Sequence, residues 1–417
     1  MCFRCRPASS CRRSRVPNGS SKSTSSRSSR TRNHAAQPSA ELLKTLIAFP
    51  TITRTPNLAL IEHVAGLLGA AGISSTIVWN GAGSCANLFA STGPADVPGV
   101  MLSGHTDVVH VEGQPWIMPP FEATLRDGRL YGRGAADMKG FVACAVIAMI
   151  DASARTLKKP LQLALSYDEE IGRVGVRRLI GVLEVAPVRP ELCIVGEPTM
   201  MQIATGHKGK AAYRAICCGQ EGHPALAPKY LNAIHVAADW IAGIRAAQQH
   251  RAESGARDDS YDVPYSTIHV GTIRGGKVLN IVPNECTLDF EIRTLASDDA
   301  ASILGDIRSH ASIASAMTLH GKVHLPAVEE VNAYPGLDTH VASDAVKLLG
   351  TLLPPDTQKR KVAFGTEGDL FSMRLSVPTA VCGRGDITIA HKPDEYVALT
   401  QLDACDSFVA PLTRCLQ

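Results

Sequence analysis

His105 and Asp107 stand two residues apart in the run Ser103-Gly104-His105-Thr106-Asp107, behind the short apolar segment Val100 to Leu102. On an extended chain that spacing puts the imidazole and the carboxylate on one face. A third candidate, Asp137, closes the glycine-punctuated stretch Gly132-Arg133-Gly134-Ala135-Ala136-Asp137, just ahead of an apolar helical pattern that begins near Lys139. One nitrogen and one or two oxygen ligands, offered at a strand end and a helix start, suit a borderline metal such as zinc. They make half of a metal site.

The remaining candidates also follow apolar runs. Asp168-Glu169-Glu170 comes after Leu161 to Tyr167, Gly196-Glu197-Pro198-Thr199 after Leu192 to Val195, and His391 after a segment, Ile387 to Ala390, that reads as short and extended. Ligands of open α/β sheets bind outside the carboxyl ends of the strands, so acids placed there repeatedly converge on one crevice. Such convergence is costly without a cation. Asp168 alone reads as a helix cap or turn residue. The set His105, Asp107, Asp137, Glu169, Glu170 and Glu197 reads as a metal centre, with His391 as its last nitrogen ligand.

The elements that must position these groups alternate. Ala40 to Ile47 and Leu58 to Ala71 read as helices, and Ser75 to Trp79 and Ala86 to Ala90 as strands. The His105 strand follows, then the helix from Lys139, the Leu161 strand, a helix over Gly175 to Leu183 and the Leu192 strand. This order predicts an α/β domain whose mainly parallel sheet is covered on both faces. From about Gly209 to Ala316 the pattern changes to strand (Lys210 to Cys218), long helix (Asn232 to Gln249), two strands (Ser266 to Ile273, Cys286 to Arg293) and a helix (Asp298 to Ile313). That order predicts an inserted split β-α-β sandwich. The expected boundaries are a tail over 1–38, a catalytic domain over 39–207 and 317–417, and the insertion over 208–316. The last helix, from about Thr400, contains Pro411, which is expected to kink or shorten it.

Composition excludes several classes. The longest uninterrupted apolar run, Phe141 to Ile150, is too short to cross a bilayer, so no membrane segment is expected. Residues 1–40 carry nine of the 42 Lys and Arg and no acid, and removing them leaves 33 basic against 39 acidic residues, a formal charge of −6. The overall +3 therefore gives no reason to expect nucleic acid. That Ser- and Arg-rich tail reads as disordered, with a mitochondrial presequence as the alternative; Cys2 and Cys5 lack the second pair that a zinc motif needs. The 12 cysteines sit mostly in apolar runs, as Cys144, Cys193 and Cys286 do, which points to reduced thiols and a cytoplasmic protein.

Taken in order, SGHTDVV, GRGxxDMKG, DEEIG, GEPT, GHKGK, the turn from Gly219 to His223, GGKVLNIVP and AHKPDEY resemble the co-catalytic zinc aminoacylase and carboxypeptidase family. The resemblance covers the chain from about residue 40. Within that family HTDVVxVxGQPW, DGRLYGRG and the LAPK turn are similar to the acetylornithine deacetylases. The fold it implies is a zinc-peptidase-like three-layer catalytic domain with an inserted ferredoxin-like α+β domain that serves as lid and dimerisation module.

The resemblance also implies roles. His105 and Glu197 would hold one Zn2+ (or Co2+), Glu170 and His391 a second, and Asp137 would bridge them, two metals per subunit. Glu169 would be the general base and Asp107 would orient His105. His223 would reach a neighbouring active site in a homodimer and stabilise an oxyanion; taken alone it reads as a turn histidine before Pro224. Asn280 and Arg293 would hold a substrate carboxylate, although Arg293 taken alone reads equally as a structural ion-pair residue. Glu367 or Asp369 is the candidate acid for a cationic substrate side chain. The implied activity is hydrolysis of an N-acyl-amino acid, with N2-acetylornithine as the expected substrate; another acyl-amino acid, a dipeptide, or a metal-binding protein without catalysis are the alternatives. Two departures bear on the pocket: Gly222-His223-Pro224-Ala225 replaces the usual Ala-His-Ser-Ser, and Asp369 stands where glycine is common.

Overall fold

The computed structural model describes residues 37–318 and 322–417. The expected tail lies almost wholly outside them, and the first helix, α1 (Pro38–Ile47), already starts inside the expected tail boundary. It is followed by α2 (Leu58–Ala70), β1 (Ser75–Trp79), β2 (Ala86–Thr92), β3 (Val100–His105), β4 (Thr124–Arg126), β5 (Arg129–Tyr131), α3 (Lys139–Ser153), β6 (Leu161–Ser166), α4 (Val176–Glu184), β7 (Leu192–Pro198) and β8 (Ile203–His207). The inserted segment supplies β9 (Gly209–Cys218), α5 (Ala233–Ser254), β10 (Thr267–Gly275), β11 (Glu285–Thr294), α6 (Ala300–Thr318) and β12 (Ala327–Tyr334). The chain then returns through β13 (Leu337–Asp338), α7 (Asp344–Leu352), β14 (Lys359–Val362), α8 (Gly368–Leu375), β15 (Thr379–Gly383), β16 (Tyr396–Ala398) and α9 (Leu399–Cys415).

The large sheet runs β1-β2-β6-β3-β7-β15-β8-β13, with β14 also on β8. Its centre, β6-β3-β7-β15, is parallel, while β1, β2 and β13 pair antiparallel, so the sheet is mixed rather than mainly parallel. Every residue of β3, β6 and β7 is buried, which explains their continuous apolar runs. Alternate residues divide between two cores. Val100, Leu102, Leu163, Leu165 and Ile194 pack under α1, α2, α3, α7 and α9. Met101, Ala164, Cys193 and Val195 pack under α4 and α8. Three layers result. Gly104 and Gly196 let α3 close on the site strands, since a Cβ at Gly104 would meet Met138 at 2.8 Å and one at Gly196 the Phe141 ring at 2.0 Å.

The smaller antiparallel sheet runs β10-β11-β9-β12. Cys286, Leu288, Phe290 and Ile292 of β11 and Ala211, Tyr213, Ala215 and Cys217 of β9 turn the same face toward α5 and α6 and close a separate core. The order β-α-β-β-α-β is the ferredoxin-like arrangement. Its fourth strand, β12, lies beyond the expected boundary at 316; its exposed face carries mixed polar residues, so it lacks an apolar alternation. Two smaller expectations also change. Ile387 to Ala390 is a turn, and α9 runs through Pro411 to Cys415, so the proline does not shorten the helix.

Candidate metal centre

β3, β6 and β7 are adjacent and parallel, so their carboxyl ends deliver His105, Glu169-Glu170 and Glu197 to one place. Asp137 arrives from the loop ahead of α3, and His391 from the turn after β15, held at a positive φ of 63°. Asp137 presents one oxygen to each histidine: Oδ1 lies 3.1 Å from His105 Nε2 and Oδ2 lies 3.4 Å from His391 Nε2. Glu197 Oε1 is 3.8 Å from His105 Nε2, and Glu170 Oε1 is 2.9 Å from His391 Nε2. Ligand atoms of His105, Asp137 and Glu170 lie within 4.8 Å of one another, as do those of His105, Glu169 and Glu197.

The electrostatics are those of charges crowded away from water. Burial and the Asp137 charge push Glu170 up to about 7 and raise Glu197 well above the usual carboxylate range. Burial also raises Glu169. Burial works against ionised Asp137, yet the hydrogen bonds from His105 and His391 hold its carboxyl far below the ordinary range. Donating to Asp137 and Glu170 in turn lifts His391 to about 10. Two imidazoles and three buried carboxylates that need a counter-charge are a donor set that fits divalent cations.

Three anchors hold the cluster. Asp107 accepts from the backbone N–H of Glu169 at 3.1 Å and of Glu170 at 3.3 Å, and its Oδ1 lies 3.5 Å from His105 Nδ1, whose closer partner is the Asp107 carbonyl at 2.9 Å. Buried Glu395 accepts from the N–H of Ala136 at 2.8 Å and of Asp137 at 3.1 Å, and pairs with buried Arg133 at 2.7 Å. Arg173 Nε donates to Glu169 Oε1 at 3.2 Å. Glu395, Arg133 and Arg173 were not expected from the sequence, although all three sit in glycine- or acid-rich turns beside ligands, where a charged residue has no core to join.

A cavity of 640 Å³ opens over the cluster. It is lined by the metal-site acids and histidines together with Lys210, Arg293, Asn332, Tyr334 and Phe364. Arg293 donates to Glu291 at 2.9 Å and to the Tyr334 hydroxyl at 3.2 Å, so it is both an ion-pair residue and a cavity residue. Four expected site residues stand elsewhere. Glu367 is buried beneath the site, where Ser103 and Ser166 donate to it at 2.6 and 2.7 Å. Asp369 is buried against Arg173. Neither forms the cavity wall, because both carboxylates are consumed by internal partners. Asn280 is exposed between β10 and β11. His223 is exposed too, its Nδ1 accepting from the Ala225 N–H at 3.2 Å to cap the turn over Pro224–Lys229. At the preceding residue, Gly222 is required by packing: a Cβ there would meet the Tyr230 ring at 2.3 Å.

A three-layer α/β domain with a ferredoxin-like insertion, and a His/carboxylate cluster at its strand ends, define a metallohydrolase. The sequence profile of Peptidase family M20/M25/M40 matches residues 101–414, and the chain belongs to that family. It is 34% identical over 382 residues to acetylornithine deacetylases of Salmonella paratyphi B and Salmonella newport, covering 86% of this chain and 93% of each relative. Its fold is that of the M20 metallo-carboxypeptidase Sso-CP2 from Sulfolobus solfataricus (TM-score 0.72, 18% identity, 91% and 99% of the two chains). It is also that of YXEP from Bacillus subtilis, a dinuclear metal-binding peptidase (TM-score 0.64, 14% identity, 91% and 98%). No helix among the described residues is long and apolar enough to cross a membrane.

Proposed function

We propose that this protein is a two-metal amide hydrolase that removes the acyl group from an N-acyl-amino acid, acting on N2-acetylornithine to give ornithine and acetate. The observation that carries the two-metal reading is Asp137, whose two oxygens face two different histidines, each with its own glutamate beside it. His105 and Glu197 would hold one cation, His391 and Glu170 the other, with Asp137 between them. Zinc or cobalt fits this mixed nitrogen and oxygen set. Bound there, the cations would polarise the amide carbonyl and acidify the attacking water.

The chain supplies the rest. Glu169 takes the water's proton and passes it to the departing amine, which needs a proton to leave as a neutral group. Asp107 fixes the turn that carries Glu169 and Glu170 by accepting from both backbone N–H groups. Arg293, which lines the same cavity, would bind the substrate carboxylate. His223 and Asn280, both exposed, would act on a neighbouring subunit's site in a homodimer formed through the inserted domain. The N2-acetylornithine assignment draws on the relatives' names. A second reading, an acyl-amino acid with a neutral or acidic side chain, is favoured by the cavity wall: among the described residues, the only carboxylates lining it are those of the cluster itself, Asp137, Glu169, Glu170 and Glu197.

Acetate or amine release by the metal-loaded protein, measured over acetylornithine, acetylmethionine and acetylglutamate, separates these substrates. Glu169→Ala is expected to keep two metals and lose roughly 100-fold to 10,000-fold in turnover, whereas Glu170→Ala loses metal. Equal metal loss in both variants by elemental analysis would overturn the division between base and ligand.

A further inference from the structure

Arg173 is almost fully buried, yet it is not part of a hydrophobic core. It sits at a positive φ of 59° in the turn after Glu169 and Glu170, and each end of its guanidinium is committed. Nε donates to Glu169 Oε1 at 3.2 Å, Nη1 donates to buried Asp369 on α8, and the central carbon Cζ lies over the Tyr334 ring, 3.5 Å from its centroid. Tyr334 ends β12, and β12 clasps the same turn a second time, because Asn332 Nδ2 donates to the Ile171 carbonyl at 3.0 Å. Gly172, with φ +115°, permits the clasp; a Cβ there would stand 1.8 Å from Asn332 Nδ2.

We infer that Arg173 is a positioning residue for Glu169, fixing one carboxylate oxygen so that the base meets the reacting water in a single orientation, with Asp369 and Tyr334 as the supports that hold the guanidinium. A planar fork can span two carboxylates on separate elements in a way a lysine cannot, since an ammonium on a flexible stem reaches one or the other. The device draws on three pieces of the fold: the turn after β6, helix α8, and the last strand of the inserted sheet. It explains Asp369, whose charge lies where glycine is usual: the carboxylate balances a guanidinium that would otherwise be buried with one partner. It also ties the base to the seating of the inserted domain, because Tyr334 and Asn332 both belong to β12.

The inference rests on Glu169 being the base, and the test separates the two. Metal-loaded Glu169→Gln, Arg173→Lys, Arg173→Met, Asp369→Asn and Tyr334→Leu are compared for metal stoichiometry, kcat and KM with one acyl-amino acid. Glu169→Gln is expected to hold two metals and lose turnover. A positioning role predicts that Arg173→Met loses about 100-fold in kcat, the size of a misplaced catalytic group, with KM within about twofold and metal content unchanged. Arg173→Lys and Asp369→Asn fall by smaller factors of about 10, again in kcat. Guanidinium chloride at millimolar, non-denaturing concentration should restore part of the rate to Arg173→Ala and none to Glu169→Gln. If Arg173→Met does not fold, Arg173→Lys, Asp369→Asn and the rescue decide. Wild-type kcat in both milder variants, or a loss confined to KM, overturns the role of Arg173 while leaving the base intact. An active Glu169→Gln overturns the base reading itself.

Discussion

Replacing Glu395 by alanine tests how Asp137 is held between the two histidines. The carboxylate accepts three hydrogen bonds in a site closed to solvent: from the N–H groups of Ala136 and Asp137 and from Arg133. Removing one partner of a buried ion pair costs about 3–5 kcal/mol, mainly because the other charge is left uncompensated. Arg133 keeps Gln114 at 2.7 Å and, more weakly, the carbonyls of His110 and Lys392, and its guanidinium lies over the Trp116 ring. The expected loss is therefore near the lower end, about 3 kcal/mol, a large part of the 5–15 kcal/mol typical of a folded domain. Freed N–H groups at Ala136 and Asp137 let the ligand loop move, and metal affinity should fall by about 10-fold to 100-fold, as when an outer partner of a ligand is lost. Glu395→Gln keeps an oxygen for both N–H groups but turns an amide NH2, a donor, toward Arg133, so it should retain most of the metal affinity while losing the ion pair's share of the stability. Urea unfolding of the metal-free protein and calorimetric titration with Zn2+ measure the two effects separately. If Glu395→Ala unfolds at the wild-type urea concentration and binds metal as wild type does, the loop is held by something else and the reasoning fails.

Glu367 gives a pH prediction. Burial pushes its carboxyl up to about 7, above the ordinary value of about 4.3 in an unfolded chain. The folded state then holds the proton more tightly, so stability falls as pH rises from about 4 to 7, and the loss is complete above 7. In metal-free protein Glu367→Gln should be more stable than wild type at pH 8 by up to about 3 kcal/mol, with the gap closing toward pH 5 by chemical denaturation; a gap independent of pH refutes it. For His223, separately inactive His223→Ala and Glu169→Ala chains, dissociated and reassociated together, should recover about a quarter of wild-type activity if the site is shared across a two-fold dimer. No recovery in a mixture shown by native mass spectrometry to contain mixed dimers returns His223 to its role as a turn cap.

The local pattern already held much of the fold. The buried runs of β3, β6 and β7 and the acids that end them could be read directly, because a parallel strand covered on both faces must be apolar along its whole length and must release its polar residues at its carboxyl end. Helices α2 and α5 and strands β9 and β11 were equally legible from their periodicity. β12 was not: it lies at the edge of its sheet with half-exposed, mixed residues, and only its pairing with β9 makes it a strand. The large sheet's antiparallel margins were hidden for the same reason, since strand direction is a property of partners.

The chemistry divides in the same way. Residue type and spacing named His105, Asp137, Glu169, Glu170 and Glu197 as groups able to converge on a cation, because each ends, follows or precedes a strand or helix; His391 was named from an extended segment that is a turn in the fold. What each carboxylate is free to do was decided only in three dimensions. Glu367 and Asp369 look in sequence like cavity acids, but Ser103 and Ser166 claim the first and Arg173 the second. Glu395 and Arg133, to which the sequence assigned no role, are fully internal. A charged side chain's role depends on which partner reaches it once the chain is folded, and those partners lie up to 264 residues away, as Ser103 does from Glu367.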